Sequence, residues 1–382
     1  MVNPALPKIS FIIPTLNQAA RLERCLHAIY RQEPHDFEVL VVNNGTTGRL
    51  TPLVQQFSGL QVLEMGKNVG FAAGCNCGIQ TAQGSYIALI NDDVRLHPSW
   101  LTNMLQAMDT NPGISSCASN LVYLDRLLVD FQSRSVSYLI DCQGDGYLAS
   151  GFGYKRNWGD PLRNHQSAPE EVFGASAAAA LYTREFFSDV GLFDDHFFCF
   201  CEDVDLSFRA RLLGHRCLYV PGAIAYHSVR ATAIENTDFT IFYSYRNFLA
   251  AWTKNMPGRL ILRNLPFFLV HQILVFLRFL LFGPQKAYFR ALRAYFQDLP
   301  RYLQSRREMM ARRRTPAENN RLFLDVHWFV TPLRLRRGRK LLEKSMVIAM
   351  EDTLLDYPFP VTPDFYAAVA QRIPELEPDV HL

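Results

Sequence analysis

Three carboxylates, Glu202, Asp203 and Asp205, stand between the aromatic run Phe197-Phe198-Cys199-Phe200 and a stretch patterned as an amphipathic helix. Aromatic rings exclude water, and a carboxylate beside them holds its proton more tightly, which suits a general base. A second acidic cluster, Asn91-Asp92-Asp93, follows the apolar run Tyr86-Ile87-Ala88-Leu89-Ile90, so it belongs at the end of a buried strand. One set can hold a hard metal ion while the other takes a proton. Plainer roles compete: Asp92 and Asp93 can end a strand and cap the helix after Pro98. Glu202, Asp203 and Asp205 can be first-turn acids facing the helix dipole, with Asp205 paired to Arg209 at i,i+4. The spacing assigns Asp205 to that pairing and leaves Glu202 and Asp203 open between the two roles.

The elements that must position these groups follow from hydrophobic periodicity. Strands are expected at 9–13, 37–42, 60–65, 85–90 and 114–118, and helices at 19–31, 50–57, 70–82 and 98–108. Strand and helix alternate with short links, which predicts an α/β fold with a mainly parallel sheet covered on both faces. Ligands in such sheets bind beyond the carboxyl ends of the strands. Pro14-Thr15-Leu16-Asn17, Asn43-Asn44-Gly45, Lys67-Asn68-Val69-Gly70 and Asn91-Asp92-Asp93 all fall at that edge. The first strand–helix turn lacks the three-glycine dinucleotide fingerprint, which argues against a nicotinamide enzyme. Residues 121–169, rich in Gly, Asp, Tyr and Asn, read as irregular loops or short hairpins forming an acceptor-facing wall. The small residues of 172–181 return to the core and let backbone approach a ligand.

With 382 residues, 49% of them hydrophobic, the chain is long enough for two or three folded domains. Its net charge of +3 conceals a basic stretch over 286–340 and an acidic tail over 351–382. The opening residues show no basic region leading into an apolar stretch, so no secretory signal is expected. The eight cysteines include C-x-C pairs, Cys75/Cys77 and Cys199/Cys201, that match neither zinc-finger nor C-x-x-C redox spacing. Reduced thiols in a cytoplasmic protein are expected.

Five ordered stretches resemble the inverting nucleotide-sugar glycosyltransferases of family 2, in particular the rhamnosyltransferase-like branch. They are Ile13-Pro14-Thr15-Leu16-Asn17, Val41-Val42-Asn43-Asn44-Gly45, Asn68-Val69-Gly70-Phe71-Ala72-Ala73-Gly74-Cys75-Asn76, Leu89-Ile90-Asn91-Asp92-Asp93-Val94, and Val190-Gly191-Leu192-Phe193-Asp194 leading to Glu202-Asp203-Val204-Asp205-Leu206. The resemblance spans about residues 8–250 and implies a GT-A fold, a nucleotide-binding half (1–120) joined to an acceptor-binding, catalytic half (121–255). It implies that Pro14, Thr15 and Asn17 line the nucleotide pocket, with Asn43 or Asn44 near the base. Lys67, Asn68, Gly70, Asn91 and Asp92 approach the donor. Asp93 matches the last acid of the family's D-x-D metal motif, for Mg²⁺ or Mn²⁺, and Asp203, beside Glu202, matches the catalytic base. His227 falls where some members place a further metal or diphosphate contact. Two positions depart from the pattern. Asn43 stands where many members have Asp, leaving base preference open, and Asn91 replaces the first acid of D-x-D, leaving metal affinity open.

Residues 266–282 are almost wholly apolar but shorter than the roughly 20 residues of a spanning helix. Asn264, His271, Arg278 and Gln285 recur every seven residues as one polar stripe, so a helix here is expected in the headgroup plane or against the catalytic domain. Tyr288, Leu292, Tyr295, Leu299 and Tyr302 then alternate with arginines, a basic amphipathic pattern suited to an anionic membrane surface. A solvated helix face is the plainer reading. No nucleic-acid recognition motif accompanies the arginines. Residues 256–345 are thus expected to be a membrane-associating helical region, and 346–382 an acidic, Pro-rich tail.

The expected activity is inverting transfer from a nucleotide-sugar donor, with dTDP-rhamnose suggested by the branch, to a lipid-linked or cell-surface glycan. Its place is the cytoplasmic face of the membrane, peripherally bound. The rival from another class is a catalytically silent sugar-nucleotide-binding scaffold of an envelope polysaccharide complex, which Asn43 and Asn91 favour. A processive synthase lacks its set of spanning helices here, and a nucleotidyltransferase its basic, glycine-rich first turn.

Overall fold

Short apolar strands alternating with helices leave the first hundred residues little choice except a parallel sheet with both faces covered. The computed structural model, which describes residues 7–45, 50–130, 135–162, 168–228, 237–316, 324–325 and 330–347, has that form. Strands β1 (Ile9–Thr15), β2 (Phe37–Asn43), β3 (Leu60–Glu64) and β4 (Tyr86–Ile90) lie parallel in the order β3-β2-β1-β4. Helices α1 (Ala19–Ile29), α2 (Thr51–Gln56) and α3 (Phe71–Thr81) connect them. Alternate residues feed opposite faces: Ile12, Leu40 and Leu89 on one, Phe11, Ile13, Val41 and Ala88 on the other. Because β4 returns to the free edge of β1, the chain direction of travel reverses there. Such a switch point opens a crevice at the strand ends.

The second half extends the same sheet. A short strand β5 (Val94–Leu96) and helix α4 (Trp100–Thr110) lead into β6 (Ile114–Asp130). There follow β7 (Ser135–Cys142), β8 (Asp145–Leu148), β9 (Gly153–Lys155), β10 (Glu170–Val172) and β11 (Ala179–Thr183), then α5 (Arg184–Val190), α6 (Glu202–Leu213) and β12 (Arg216–His227). Strand β11 inserts antiparallel between β4 and β6, and β12 runs parallel to β6 on its far side. The strand expected over 114–118 runs on unbroken through residue 120 to Asp130, because β7 and β12 pair with its second half. Residues 121–169 are therefore built largely as the hairpins β6–β7 and β8–β9 rather than as irregular loop. Helix α6 is not amphipathic. Val204, Asp205, Leu206, Phe208, Ala210, Arg211 and Leu212 are all buried, so it is enclosed on nearly every side.

Helices α7 (Thr237–Asn255), α8 (Gly258–Phe282), α9 (Gln285–Arg312) and α10 (Val330–Lys344) complete the described fold apart from two-residue strands and a short 3₁₀ turn. The α9 stripe expected to meet a membrane faces inward instead: Tyr288 and Tyr302 are buried, and Tyr295 Oη bonds Thr253 Oγ1 on α7 at 2.6 Å. Several of its arginines also serve the protein. Arg301 reaches Asp194, Arg306 reaches the Thr253 and Met256 carbonyls, and Arg314, just past the helix, reaches Asp189.

Helix α8 is longer than the apolar run suggested. It has 25 residues, about 37 Å at 1.5 Å per residue, and is the one helix among the described residues long and apolar enough to cross a membrane. One edge packs on the protein, where Asn264 is buried, Phe268 stacks on Trp252 and His271 stacks on Phe152. The polar stripe is thus half right: Arg278 is exposed, and Gln285 lies past the helix, donating to the Leu280 carbonyl. The opposite face is bare, with Leu262, Ile273, Leu274, Leu281 and Phe282 all more than half exposed. The acidic tail lies outside the described residues. All eight cysteines are free thiols.

Candidate active site

The β4 strand ends in a tight turn, Asn91 to Val94, closed by the Val94 N–H on the Asn91 carbonyl at 3.1 Å. The turn sends its two acids in different directions. Asp92 folds back to β1, where Thr15 Oγ1 donates to it at 2.5 Å. Burial outweighs that bond and raises the Asp92 carboxyl to about 6. Asp93 points toward the end of β12. Its Oδ1 lies 3.2 Å from His227 Nε2, while Arg21 stands 4.0 Å away on the other side. Neither acid caps α4, which starts at Trp100 after Ser99.

His227 lies between two carboxylates. Its Nδ1 is 2.8 Å from Asp141 Oδ2, and Asp141 is wholly buried with Lys155 Nζ on both its oxygens at 2.8 and 3.0 Å. Burial alone lowers a histidine, but the charges of Asp93 and Asp141 outweigh it and push His227 up to about 9. Burial likewise opposes ionisation of Asp93 and Asp141. The cations beside them prevail, holding both carboxyls below the usual range. Lys155–Asp141–His227–Asp93 is a continuous line of alternating charge from the hairpin wall to the end of β4.

These residues fit a divalent ion of the Mg²⁺ or Mn²⁺ type. Asn91 Oδ1 is a buried oxygen without a hydrogen bond, and Asp93 Oδ1 is buried and faced by the His227 ring. A cation held there would take the place of the Nε2 proton. No preformed group of three His, Cys, Asp or Glu ligands occurs among the described residues. That suits ions which keep waters and take other ligands from a bound diphosphate. Asp92, committed to Thr15, does not make up for Asn91.

Asp203 opens α6. Its Oδ2 accepts from the Ala177 N–H at 3.4 Å and its Oδ1 from the Val204 N–H at 2.8 Å. The carboxylate keeps some solvent contact although protein surrounds it closely. Burial raises its pKa against those bonds and the charge of Lys155. Asp145 Oδ2 and Glu202 Oε2 are buried nearby without hydrogen bonds. Burial, then the charge of Asp203, pushes both well above the carboxylate range, favouring protonated neighbours around one ionised group.

The segment leading to Asp203 is held in an uncommon backbone shape. Phe198, Phe200 and Cys201 all have positive φ, 63°, 66° and 65°, although none is glycine. Asn247 of α7 compensates: its Nδ2 lies 2.9, 2.9 and 2.7 Å from the carbonyls of Phe197, Cys199 and Phe200. Arg246 adds bonds to the His196 and Phe197 carbonyls at 2.6 and 3.1 Å. The Phe198 carbonyl also accepts from Ala72 at the start of α3.

The two acidic centres meet at one backbone step. Ala177 N–H binds Asp203, and the carbonyl of the next residue, Ala178, accepts from Asn91 N–H at 2.9 Å. Successive Cα atoms are 3.8 Å apart, so both groups share one edge of the sheet. The donor-side loops converge there too. Asn44 accepts from nothing through its buried Oδ1 but donates through Nδ2 to the Gly70 carbonyl at 3.0 Å, and its N–H reaches Thr15 O. Asn68 Oδ1 receives the Gly70 N–H, and Gly70, at φ 87°, lies so close to Phe198 that a Cβ would sit 2.6 Å from its ring. Asn43 is engaged by Glu64 and Gly45, away from the acids. Pro14 is buried, and Asn17, Lys67 and Asn68 are exposed at the rim.

Asp141, Lys155, Asp145, Arg246 and Asn247 went unnoticed in the sequence. Only the proximity of Asp141 to Asp145 within a polar segment hinted at a site. Their roles come from strand register and helix docking, which leave no local spacing pattern.

Residues 10–191 match the family model described as Glycosyl transferase family 2. These residues form a glycosyl transferase family 2 domain. Asp203 and His227 lie beyond the matched part. The Mycobacterium tuberculosis N-acetylglucosaminyl-diphospho-decaprenol L-rhamnosyltransferase is 26% identical over 234 residues, 57% of this chain and 75% of the relative. The glycosyltransferase AglE of Haloferax volcanii is 34% identical over 102 residues, 25% of this chain and 34% of AglE. A Sinorhizobium fredii protein described as uncharacterized, y4gI, is 28% identical over 239 residues, 59% of this chain but 25% of its own length. The chain thus spans about a third of AglE and a quarter of y4gI. Among solved structures, GalNAc-T7 with UDP, GalNAc and Mn²⁺ superposes with TM-score 0.52 at 14% identity, covering 67% of this chain and 49% of that one. TarS 1-349 of S. aureus gives 0.51 at 15%, covering 98% and 93%. These likenesses establish the GT-A fold for the family 2 domain and its extension.

Proposed function

We propose that the chain is an inverting glycosyltransferase that moves a sugar from a nucleotide-sugar donor onto an acceptor hydroxyl. The observation that carries this reading is the Ala177–Ala178 step, which sets Asp203 and the Asn91–Asp93 turn side by side at the switch point. Asp93 and His227 would hold a divalent metal, and such an ion neutralises charge on the departing diphosphate. Thr15, Asn44, Asn68 and Gly70 shape the donor pocket, with Pro14, Asn17, Asn43, Lys67 and Asp92 around it. Asp203 takes the proton as the acceptor oxygen bonds the anomeric carbon. The bond from that carbon to the diphosphate breaks on the opposite face, releasing the nucleoside diphosphate. Such a base contributes about 10²- to 10⁴-fold.

The name of the M. tuberculosis relative supports a deoxyhexose donor and a lipid-diphosphate acceptor. A recess of about 280 Å³ lined by Phe239, Phe242, Tyr243, Arg290 and Asp238 supports the acceptor assignment. Phe198 and Phe200, just ahead of Asp203, pack on Tyr243 and Phe239 at its wall. The bare face of α8, continued on α9 by Phe289, Phe296 and Leu303, supports attachment to a membrane, and the free thiols support its cytoplasmic side.

Release of nucleoside diphosphate from dTDP-rhamnose and other donors, with a lipid-diphosphate acceptor and Mn²⁺, tests the proposal. Release should need both acceptor and metal, and Asp203→Asn should abolish it while donor binding persists. Near-normal turnover in that variant overturns the base assignment. Donor binding without release over a broad acceptor panel favours the scaffold reading, which Asn91 in place of an acid supports.

A further inference from the structure

We propose that Asp141, anchored by Lys155, is a positioning residue for His227, fixing the imidazole so that Nε2 faces Asp93 and the divalent-cation site. The inference rests on the metal role of Asp93 and His227 proposed above and adds residues to which that role assigns nothing. An imidazole on a strand end can present either nitrogen by turning over. Here the choice is made from behind: Asp141 Oδ2 is 2.8 Å from Nδ1, which donates to it, and Nε2 is left 3.2 Å from Asp93 Oδ1.

Asp141 is itself immobile. It is 0% exposed, both oxygens are taken by Lys155 Nζ, and its strand is tied through β6 to the strand carrying His227. In β6, Tyr123 is the register partner of His227, and its hydroxyl, which accepts from Trp158 Nε1 at 2.8 Å, packs beside Asp141. Every group behind the ring is therefore fixed by sheet pairing or by a charged bond. A wholly buried carboxylate paired to a partly exposed lysine is poor material for stability alone, because an apolar residue of similar volume often serves as well. It is good material for aiming a ligand. Metal-binding histidines depend on such a carboxylate, and its loss typically costs about 10- to 100-fold in metal affinity.

The test measures Mn²⁺ binding to the full chain by electron paramagnetic resonance, alone and with UDP, alongside thermal unfolding. Asp141→Asn should weaken Mn²⁺ by about 10- to 100-fold. Asp141→Glu keeps the charge beside Lys155 and so guards against loss of fold. It should weaken Mn²⁺ as well, because its longer arm displaces the ring. In a His227→Gln background Asp141→Asn should cost no further affinity. Folded variants that bind Mn²⁺ within twofold of the parent would falsify the inference alone, as would additive losses in the double variant. A parent that binds no Mn²⁺ in either condition removes the metal role and the inference together.

Discussion

Asp203 carries opposing influences whose balance sets when it can accept a proton. Burial lifts its pKa above the usual carboxylate value, while the N–H groups of Val204 and Ala177 and the charge of Lys155 pull it back. A base works only when ionised, so turnover should fall as pH drops through this raised pKa, on an acid limb above that of an exposed aspartate. Lys155→Met removes one of the lowering influences and should shift that limb of the kcat/KM profile to higher pH. A limb that stays put or moves down contradicts the placement of Lys155 beside the base. At this scale the sequence was readable where partners are close along the chain. Arg209 Nε meets Asp205 Oδ2 at 2.9 Å one helical turn away, as the spacing implied. Lys254 and Asn255 also reach Asp205, from fifty residues on, and that part was invisible. His227 and Asp141 are 86 residues apart and meet only because β6 bridges their strands.

Among the elements, the segment from Phe197 to Cys201 and helix α7 behave as one device. Three left-handed residues in a row of five cost on the order of 1–3 kcal/mol each unless their surroundings impose them. Asn247 imposes them through three carbonyls, so Asn247→Ala should loosen the approach to Asp203 without touching substrate. We expect a stability loss of about 1–3 kcal/mol and at least a tenfold fall in kcat with little change in donor affinity. Hydrogen exchange should show faster amide exchange over 198–201. Protection equal to the parent would mean the shape is kept by other contacts. Strands β1 to β4 and helices α1 to α4 were legible to within a residue or two, because alternation and helical periodicity report burial on a sheet, while the three-residue β5 was not anticipated. The pattern failed where burial is not one-sided. Helix α6, expected to be amphipathic, is enclosed on most sides and buries Asp205 and Arg211 along with its apolar residues. Strand β6 continues past its apolar core into Asn120 and Asp125, both buried.

For the whole molecule, the distribution of apolar surface is the unusual property. Soluble monomers rarely leave a contiguous apolar face as long as that of α8. The chain should therefore sediment with anionic vesicles, and Ile273→Glu with Leu281→Glu should reduce the bound fraction at least tenfold while leaving Mn²⁺ binding unchanged. Full solubility of the parent without detergent or lipid, insensitive to added vesicles, contradicts membrane attachment. The exposed apolar face was legible as composition, but the sequence placed the expected membrane contact on the α9 stripe, which is buried, while the bare face lies on α8. The 4-3-4-3 spacing of Tyr288 to Tyr302 reports a buried seam as well as it reports a lipid-facing one, and α7 is what fills it.

Ala177 and Ala178 act as a ruler. One amide of this dipeptide holds Asp203, the proposed proton acceptor, and the neighbouring carbonyl holds the turn proposed to carry the metal, so their separation is set largely by chain count. Adding one residue to this turn, just ahead of β11, would change that separation and redirect one of the two groups, whereas insertions in the outlying hairpins would leave the gap intact. An insertion at this peptide should therefore cost more turnover than one in a surface turn that carries none of these groups.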